Sequence, residues 1–314
     1  MQPVILDVDM GVDDALAIIL ALQSPEVELL GISTVFGNVP LDQATRNALQ
    51  VLELMGCDEI PVYVGAGEPL VQKPVHAEAV HGKTGLGEAV LPEPEMLPAG
   101  NALDFLVAGL EDRPGEVIVI ATGPLTNLAL VEKKQPGILE QARRVLVMGG
   151  ALAETGNITP VSEFNSFADP HAFHSLIKAE TNMTVIPLDV THRLGLKAET
   201  IEAELAGRDD AVARFIREAT RTVIAFEQEH YGYAGLHLHD PAAVALAIDS
   251  SLCQTETFSL DVETKGELTA GQIVVDRRPL KDDEEREGYP VDCAMEVDVE
   301  RFMQLFVHRV LGGG

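Results

Sequence analysis

The chain has 314 residues, enough for a large core in one big α/β domain or two smaller ones. Its 22 basic and 50 acidic residues leave a formal charge of −28, without the basic footprint that phosphate-backbone binding needs, so nucleic acid is excluded as a partner. No charge-free run approaches the roughly 20 residues of a membrane helix, so a membrane-spanning protein is excluded too.

From the start, Met1-Gln2-Pro3-Val4 enters a strand without the basic and long apolar regions of a signal peptide. Val4-Ile5-Leu6-Asp7-Val8 is a short apolar run ending in acids, and Asp13 to Leu22 is a strong helix former stopped at Ser24-Pro25. A second strand runs from Val27 to Val35, a helix from Leu41 to Met55 and a third strand from Pro61 to Val64. Residues 65–100 form a loop too long for a simple connection, and so a lid or binding loop is expected there. Glu116 to Ala121 is a buried-strand run before Thr122-Gly123-Pro124; a helix begins at Leu125, and Arg144 to Gly150 is another strand with a glycine end. Thr184 to Asp189 follows, then two charged helices between Ala198 and Glu229. His239-Asp240-Pro241 opens an apolar helix from Ala242 to Ile248. The tail alternates as hairpin strands at Glu256–Val262, Gly271–Asp276 and Cys293–Val297, and closes in a helix from Val299 to about Val310.

This alternation predicts an α/β fold, an open, mostly parallel but mixed sheet with helices on both faces in the Rossmann-like manner. The expected unit is a single domain over 1–314 with a helical excursion at 198–238. Cys57, Cys253 and Cys293 are far apart and show no CxxC spacing, which argues against a disulfide framework or zinc ribbon and suits a reducing cytoplasm. Only 8 lysines stand beside 14 arginines. The acidic excess reads as an ordinary solvated surface or as adaptation to high salt, where screening removes self-repulsion.

Several strands end in chemically active residues: Asp7 and Asp9, Asn38, Thr122, Met148. In open α/β sheets such ends converge on one crevice. Asp7, Asp9, Asp13 and Asp14 put four carboxylates within eight residues. A solvated acidic turn is the plain alternative, with Asp13 or Asp14 as a helix cap. Four such charges at the end of a buried strand favour a hard divalent cation, and oxygen-only donors select Ca²⁺ or Mg²⁺ over zinc. An aspartate pair of the form DxD also suggests a phosphatase in which the first aspartate is the nucleophile.

The run Asp7-Val8-Asp9-Met10-Gly11-Val12-Asp13-Asp14-Ala15 closely resembles the DxDxGxDDA signature of the inosine–uridine-type nucleoside hydrolases. Gly37-Asn38, Ala121 to Asn127, Val147 to Gly150, Gly156-Asn157, Glu163-Phe164-Asn165 and His239-Asp240-Pro241 match further family segments in order, from about residue 3 to residue 311. The resemblance implies a calcium-dependent hydrolase of small-molecule ribonucleosides, cytoplasmic, and a homodimer or homotetramer. A non-catalytic nucleoside- or ribose-binding protein is the other reading.

Carried over residue by residue, the resemblance puts Ca²⁺ on Asp9, Asp14, the Thr122 carbonyl and Asp240, with Asp7 supporting these ligands through hydrogen bonds. Asp13 becomes the partner of the ribose 2′-hydroxyl and Asn38 a further contact near the metal. Asn157, Glu163 and Asn165 resemble a clamp on the 3′- and 5′-hydroxyls; in an extended stretch Glu163 and Asn165 would share a face. Met148 lines the apolar floor, His81 sits near the base, and Tyr231 or its competitor Tyr233 assists there. His237 is expected to be structural or on a loop surface. Asp9 would activate a Ca²⁺-bound water to attack C1′, and His239 would protonate the departing base.

Overall fold

The protein is described by a computed structural model covering residues 1–281 and 285–312; the last two residues of the expected 1–314 unit lie outside it. In chain order the elements are β1 (Gln2–Val8), α1 (Val12–Leu22), β2 (Val27–Thr34), α2 (Leu41–Met55), β3 (Val62–Val64), α3 (Glu78–His81), β4 (Gly100–Asn101), α4 (Ala102–Asp112), β5 (Ile118–Ala121), α5 (Thr126–Lys134), β6 (Arg144–Met148) and α6 (Phe164–Ala168). The second half continues with α7 (Pro170–Lys178), β7 (Met183–Ile186), α8 (Leu188–Thr191), β8 (Gly195–Lys197), α9 (Ala198–Glu204), α10 (Ala211–Tyr231), β9 (Gly235–His237), α11 (His239–Ile248), β10 (Cys253–Val262), β11 (Ile273–Val275), β12 (Tyr289–Val297) and α12 (Val299–Phe306).

Ten strands form one sheet in the order β11-β10-β12-β7-β6-β5-β1-β2-β3-β4. Pairing is parallel from β4 through to β12 and antiparallel only where β10 meets β11 and β12. The mixed α/β sheet is therefore as the alternation predicted. β1 shows why helices cover both faces. Val4, Leu6 and Val8 join a core with α1, α2, α11 and α12, while Ile5 joins one with α4, α5 and α7. Alternate side chains of a strand leave on opposite faces, and these are apolar on both.

Five helices, α3, α4, α6, α7 and α8, lie where the sequence reading has none. Helix α4 starts at Asn101, whose side chain accepts the Leu103 and Asp104 amides at 2.9 and 3.3 Å, a local cap that ends the long 65–100 loop. Helix α6 occupies the expected extended stretch around Glu163 and Asn165, and α7 follows it. Glu163 and Asp169 accept the first amides of these helices, and Pro170 opens the second with φ already set. In the 198–238 segment, α9 and α10 are followed by β9, which pairs antiparallel with β8 just before the segment in a two-stranded sheet.

Candidate active site

Strand β1 lies between β2 and β5. The chain steps outward from it through β2, β3 and β4 on one side and through β5, β6 and β7 on the other. The crevice that opens at the carboxyl ends of such diverging strands is where an α/β sheet can take a ligand. Asp9 follows β1 there, Thr122 follows β5, and Met148 ends β6.

The turn between β1 and α1 is tightly built. Met10 has φ 52°, a left-handed conformation that is costly for a residue with a side chain, and it is fully buried. Gly37 has no room for a Cβ, which would collide with the Asp9 carboxylate. Asn38, after that glycine, donates its backbone N–H to Asp9 Oδ2 at 2.7 Å and its side-chain amide to Asp9 Oδ1 at 3.1 Å. The same amide reaches Asp14 Oδ2 at 3.4 Å. Asp14 also accepts the Gly11 amide at 2.7 Å and the Thr122 hydroxyl at 2.6 Å, so one carboxylate ties the α1 N-terminus to the end of β5.

Asp240 arrives from the other end of the chain at the start of α11, which packs on α1. Oxygens of Asp13, Asp14 and Asp240 all come within 4.8 Å of one another. Asp9 is not one of these three but lies against Asp14, and its carboxylate accepts both Asn38 amides. Asp7 lies beneath, accepting Ser33 Oγ at 2.5 Å and Asn127 Nδ2 at 2.7 Å, and it is not on the cavity wall.

Burial of so many acids has an electrostatic consequence. Desolvation pushes Asp7, Asp13 and Asp14 up to about 6, with Asp14 raised further by Asp13. Asp9 and Asp240 are raised well above the ordinary carboxylate value, by burial first and then by neighbouring aspartates. Asp13 Oδ1 is buried with no hydrogen-bond partner. Oxygen-only donors, mutual repulsion and an orphaned carboxylate oxygen together fit a hard divalent cation.

Beyond the acids a cavity of about 450 Å³ opens, of small-ligand size. Its wall includes Asp13, Asn38, His81, Thr122, Met148, Asn157, Glu163, Asn165, Tyr231, His239 and Asp240. The 65–100 loop supplies His76 to His81 apart from Glu78. His81 Nδ1 accepts the Val12 amide at 3.1 Å, so that nitrogen carries no proton and Nε2–H is the donor; burial pushes the imidazole down to about 4.

On the opposite wall, Glu163 caps α6: its carboxylate accepts the Asn165, Ser166 and Gly150 amides at 2.8, 3.0 and 2.8 Å, and its carboxyl is raised by burial. Glu163 and Asn165 reach the cavity from a helix start, in place of the extended stretch the two-residue spacing suggested. Asn165 Nδ2 donates to the Thr122 and Met148 carbonyls at 2.6 and 3.2 Å, bracing β5 against β6.

His239 Nδ1 stands 2.8 Å from Thr191 Oγ1, and burial with His192 and His237 nearby holds this imidazole well below its ordinary value. Contrary to the structural or surface role expected of it, His237 is part of the cavity wall, 3.3 Å from Glu227 and stacked on Tyr233 at 5.0 Å. Tyr233 stands behind it and off the wall, whereas Tyr231 is at the mouth, 60% exposed. His192, Phe226 and Glu227 also line the cavity and were not singled out from sequence. On α10, Glu227 stands four residues before Tyr231, a pairing a helical pattern could have suggested, and Phe226 stands four before His230; nothing local marks His192.

The chain matches the family model described as inosine-uridine preferring nucleoside hydrolase over residues 4–304. It is 38% identical to a pyrimidine-specific ribonucleoside hydrolase of Shewanella woodyi over 281 residues, 89% of each chain. Among solved structures it resembles a plant nucleoside hydrolase with TM-score 0.91 and 32% identity, covering 99% of both chains. A purine-preferring ribonucleoside hydrolase from Gardnerella vaginalis superposes with TM-score 0.90 and 33% identity, over 99% of this chain and 98% of that one.

Proposed function

Since the chain belongs to the inosine-uridine preferring nucleoside hydrolase family and is a ribonucleoside hydrolase, we propose that it works with Ca²⁺ held by Asp9, Asp14, the Thr122 carbonyl and Asp240. The observation that carries this reading is the convergence of buried Asp13, Asp14 and Asp240 carboxylates from segments 226 residues apart, with Asp13 Oδ1 unpartnered. The DxD pair alone also suited a phosphatase; the family match over residues 4–304 decides against it.

A divalent ion bound there supplies the compensating charge and makes a neighbouring water more acidic. Asp9 accepts the proton of the water that attacks C1′. The two Asn38 donors hold its orientation. Asp13 takes the ribose 2′-hydroxyl, and Asp7 stiffens the floor through Ser33 and Asn127. Asn157, Glu163 and Asn165 hold the 3′- and 5′-hydroxyls over Met148. The bond to the base breaks through an oxocarbenium-like state, whose positive charge the surrounding carboxylates stabilise. His81 has Nε2–H to offer the base half, and His239, steadied by Thr191, passes a proton to the departing base, with Tyr231 at the mouth. Burial leaves little of His239 protonated, and that cationic form is a correspondingly stronger acid.

The same reading takes the protein as one domain, cytoplasmic, and a homodimer or homotetramer, with an acidic surface that is either ordinary or adapted to high salt; among the described residues no helix is long and apolar enough to cross a membrane. The test is a reducing-sugar assay on inosine, uridine, cytidine, adenosine and guanosine, with and without EGTA. Ribose release abolished by EGTA and restored by Ca²⁺ supports the reading; release untouched by chelation overturns the metal assignment. The relatives act on pyrimidine or on purine nucleosides, so the same assay reads the base preference.

A further inference from the structure

Helix α8 carries an acid that the mechanism above does not use. Asp189 directs its carboxylate onto the chain leaving β6: Oδ2 accepts the Leu152 amide at 2.8 Å, and Oδ1 accepts those of Ala153 and Glu154 at 2.8 and 3.2 Å. Arg277 grips the same peptide from its other side, donating to the Leu152 carbonyl at 3.1 Å. Two residues earlier, the Gly150 carbonyl accepts the Leu188 amide at 2.9 Å. The segment is thereby fastened from the sheet outward as far as residue 154.

Directly beyond that anchor, residues 155–158 form part of the cavity wall. Asn157 uses its Oδ1 to accept the Phe164 amide at 2.9 Å, which leaves Nδ2 as the donor. Gly156 makes the turn possible, because a Cβ there would run into the Thr159 and Ser162 backbone. The stretch has no regular secondary structure, so its order rests on such side-chain anchors. A loop ordered before the ligand arrives loses less conformational entropy on binding, and a charged acceptor for three amides is a strong way to order it.

We propose that Asp189 is a positioning residue: it presets the 152–158 segment so that Asn157 stands ready for the sugar, and it sets affinity for the nucleoside more than the rate of bond cleavage. The proposal rests on the reading of Asn157 as a ribose contact. Asp189→Asn keeps the shape but weakens the acceptor; Asp189→Ala removes it. With uridine, Asp189→Ala is expected to raise KM about tenfold, the scale of one lost polar contact, and to change kcat less than about twofold. Asp189→Asn falls between, and amide exchange at 152–154 speeds up in both while the sheet is unaffected. Combined with Asn157→Ala, the Asp189→Ala loss shrinks, because residues acting through one another are not additive.

An Asp189→Ala enzyme with unchanged KM beside an Asn157→Ala enzyme with raised KM overturns the proposal alone. A fall in kcat with KM unchanged, or full additivity, overturns it as well. An Asn157→Ala enzyme with normal KM removes the ribose reading and the proposal with it. A melting temperature lowered in Asp189→Ala but not in Asp189→Asn leaves the Asn variant's KM and exchange to decide.

Discussion

The Thr191 hydroxyl lies 2.8 Å from Nδ1 of His239, so a fully buried threonine on α8 fixes the ring of a histidine that begins α11. Thr191→Val keeps the shape and removes the hydroxyl. With uridine, kcat/KM is expected to fall about tenfold, as when a supporting hydrogen bond to a working side chain is lost. His239→Ala costs about 10²–10⁴-fold on uridine and far less on p-nitrophenyl riboside, whose leaving group needs no proton. Steady-state kinetics on both substrates decide the matter, and equal losses would remove His239 as the acid.

Asp9 has the opposite duty. Asp9→Ala is expected to lower turnover about 10²–10⁴-fold, the usual worth of a positioned base. Gly37→Ala should also be strongly impaired although it deletes no polar atom, because the added methyl displaces the Asp9 carboxylate. Rate assays at saturating nucleoside check both, and a near-normal Asp9→Ala rate would sink the base assignment.

The acids also set a pH dependence. In the metal-free fold Asp7, Asp13 and Asp14 titrate at about 6, above the ordinary 3.8, so the fold binds these protons more tightly than the unfolded chain does. Their contribution to stability is therefore full below pH 3.8 and is lost as pH rises through about 6. Ca²⁺ on Asp14 would compete with its proton directly and with those of Asp7 and Asp13 through its charge. The rise in melting temperature on adding Ca²⁺ should thus be small at pH 5 and large at pH 7.5. Differential scanning calorimetry with Ca²⁺ or EGTA reads it, and an equal rise at both pH values would contradict the linkage.

With a formal charge of −28, the folded protein repels itself at low ionic strength. Its melting temperature should climb as KCl is raised, most steeply below about 0.2 M, where screening changes fastest. A flat curve would argue for an ordinary acidic surface.

The fold was largely legible because period-two and helical patterns are local, and each strand of the sheet is a run of apolar residues. What escaped was also physical in origin. Helix α4 has a plain signal, Asn101 two residues before Leu103, but it follows a long irregular loop that masks its start. Glu163 and Asn165 were placed in an extended stretch because their spacing is read along a strand, whereas a carboxylate capping its own helix brings both to the cavity. His192 follows a four-residue helix, and no sequence pattern says that β7 ends within reach of β9. The sequence around His237 does not show its partner, because Glu227 is on another element and the pairing exists only once α10 folds back on β9.

The packing of α1 on α11 has a temporal side. Asp14 is synthesised 226 residues before Asp240. Until then the nascent chain carries a cluster of acids with no third partner and no place to be neutralised. Closing the cluster requires the first helix to wait for one of the last. A cation shared by Asp14 and Asp240 would then be a rivet between the opening and closing thirds of the chain, and any truncation before residue 240 would lack both the rivet and the reason for burying the acids.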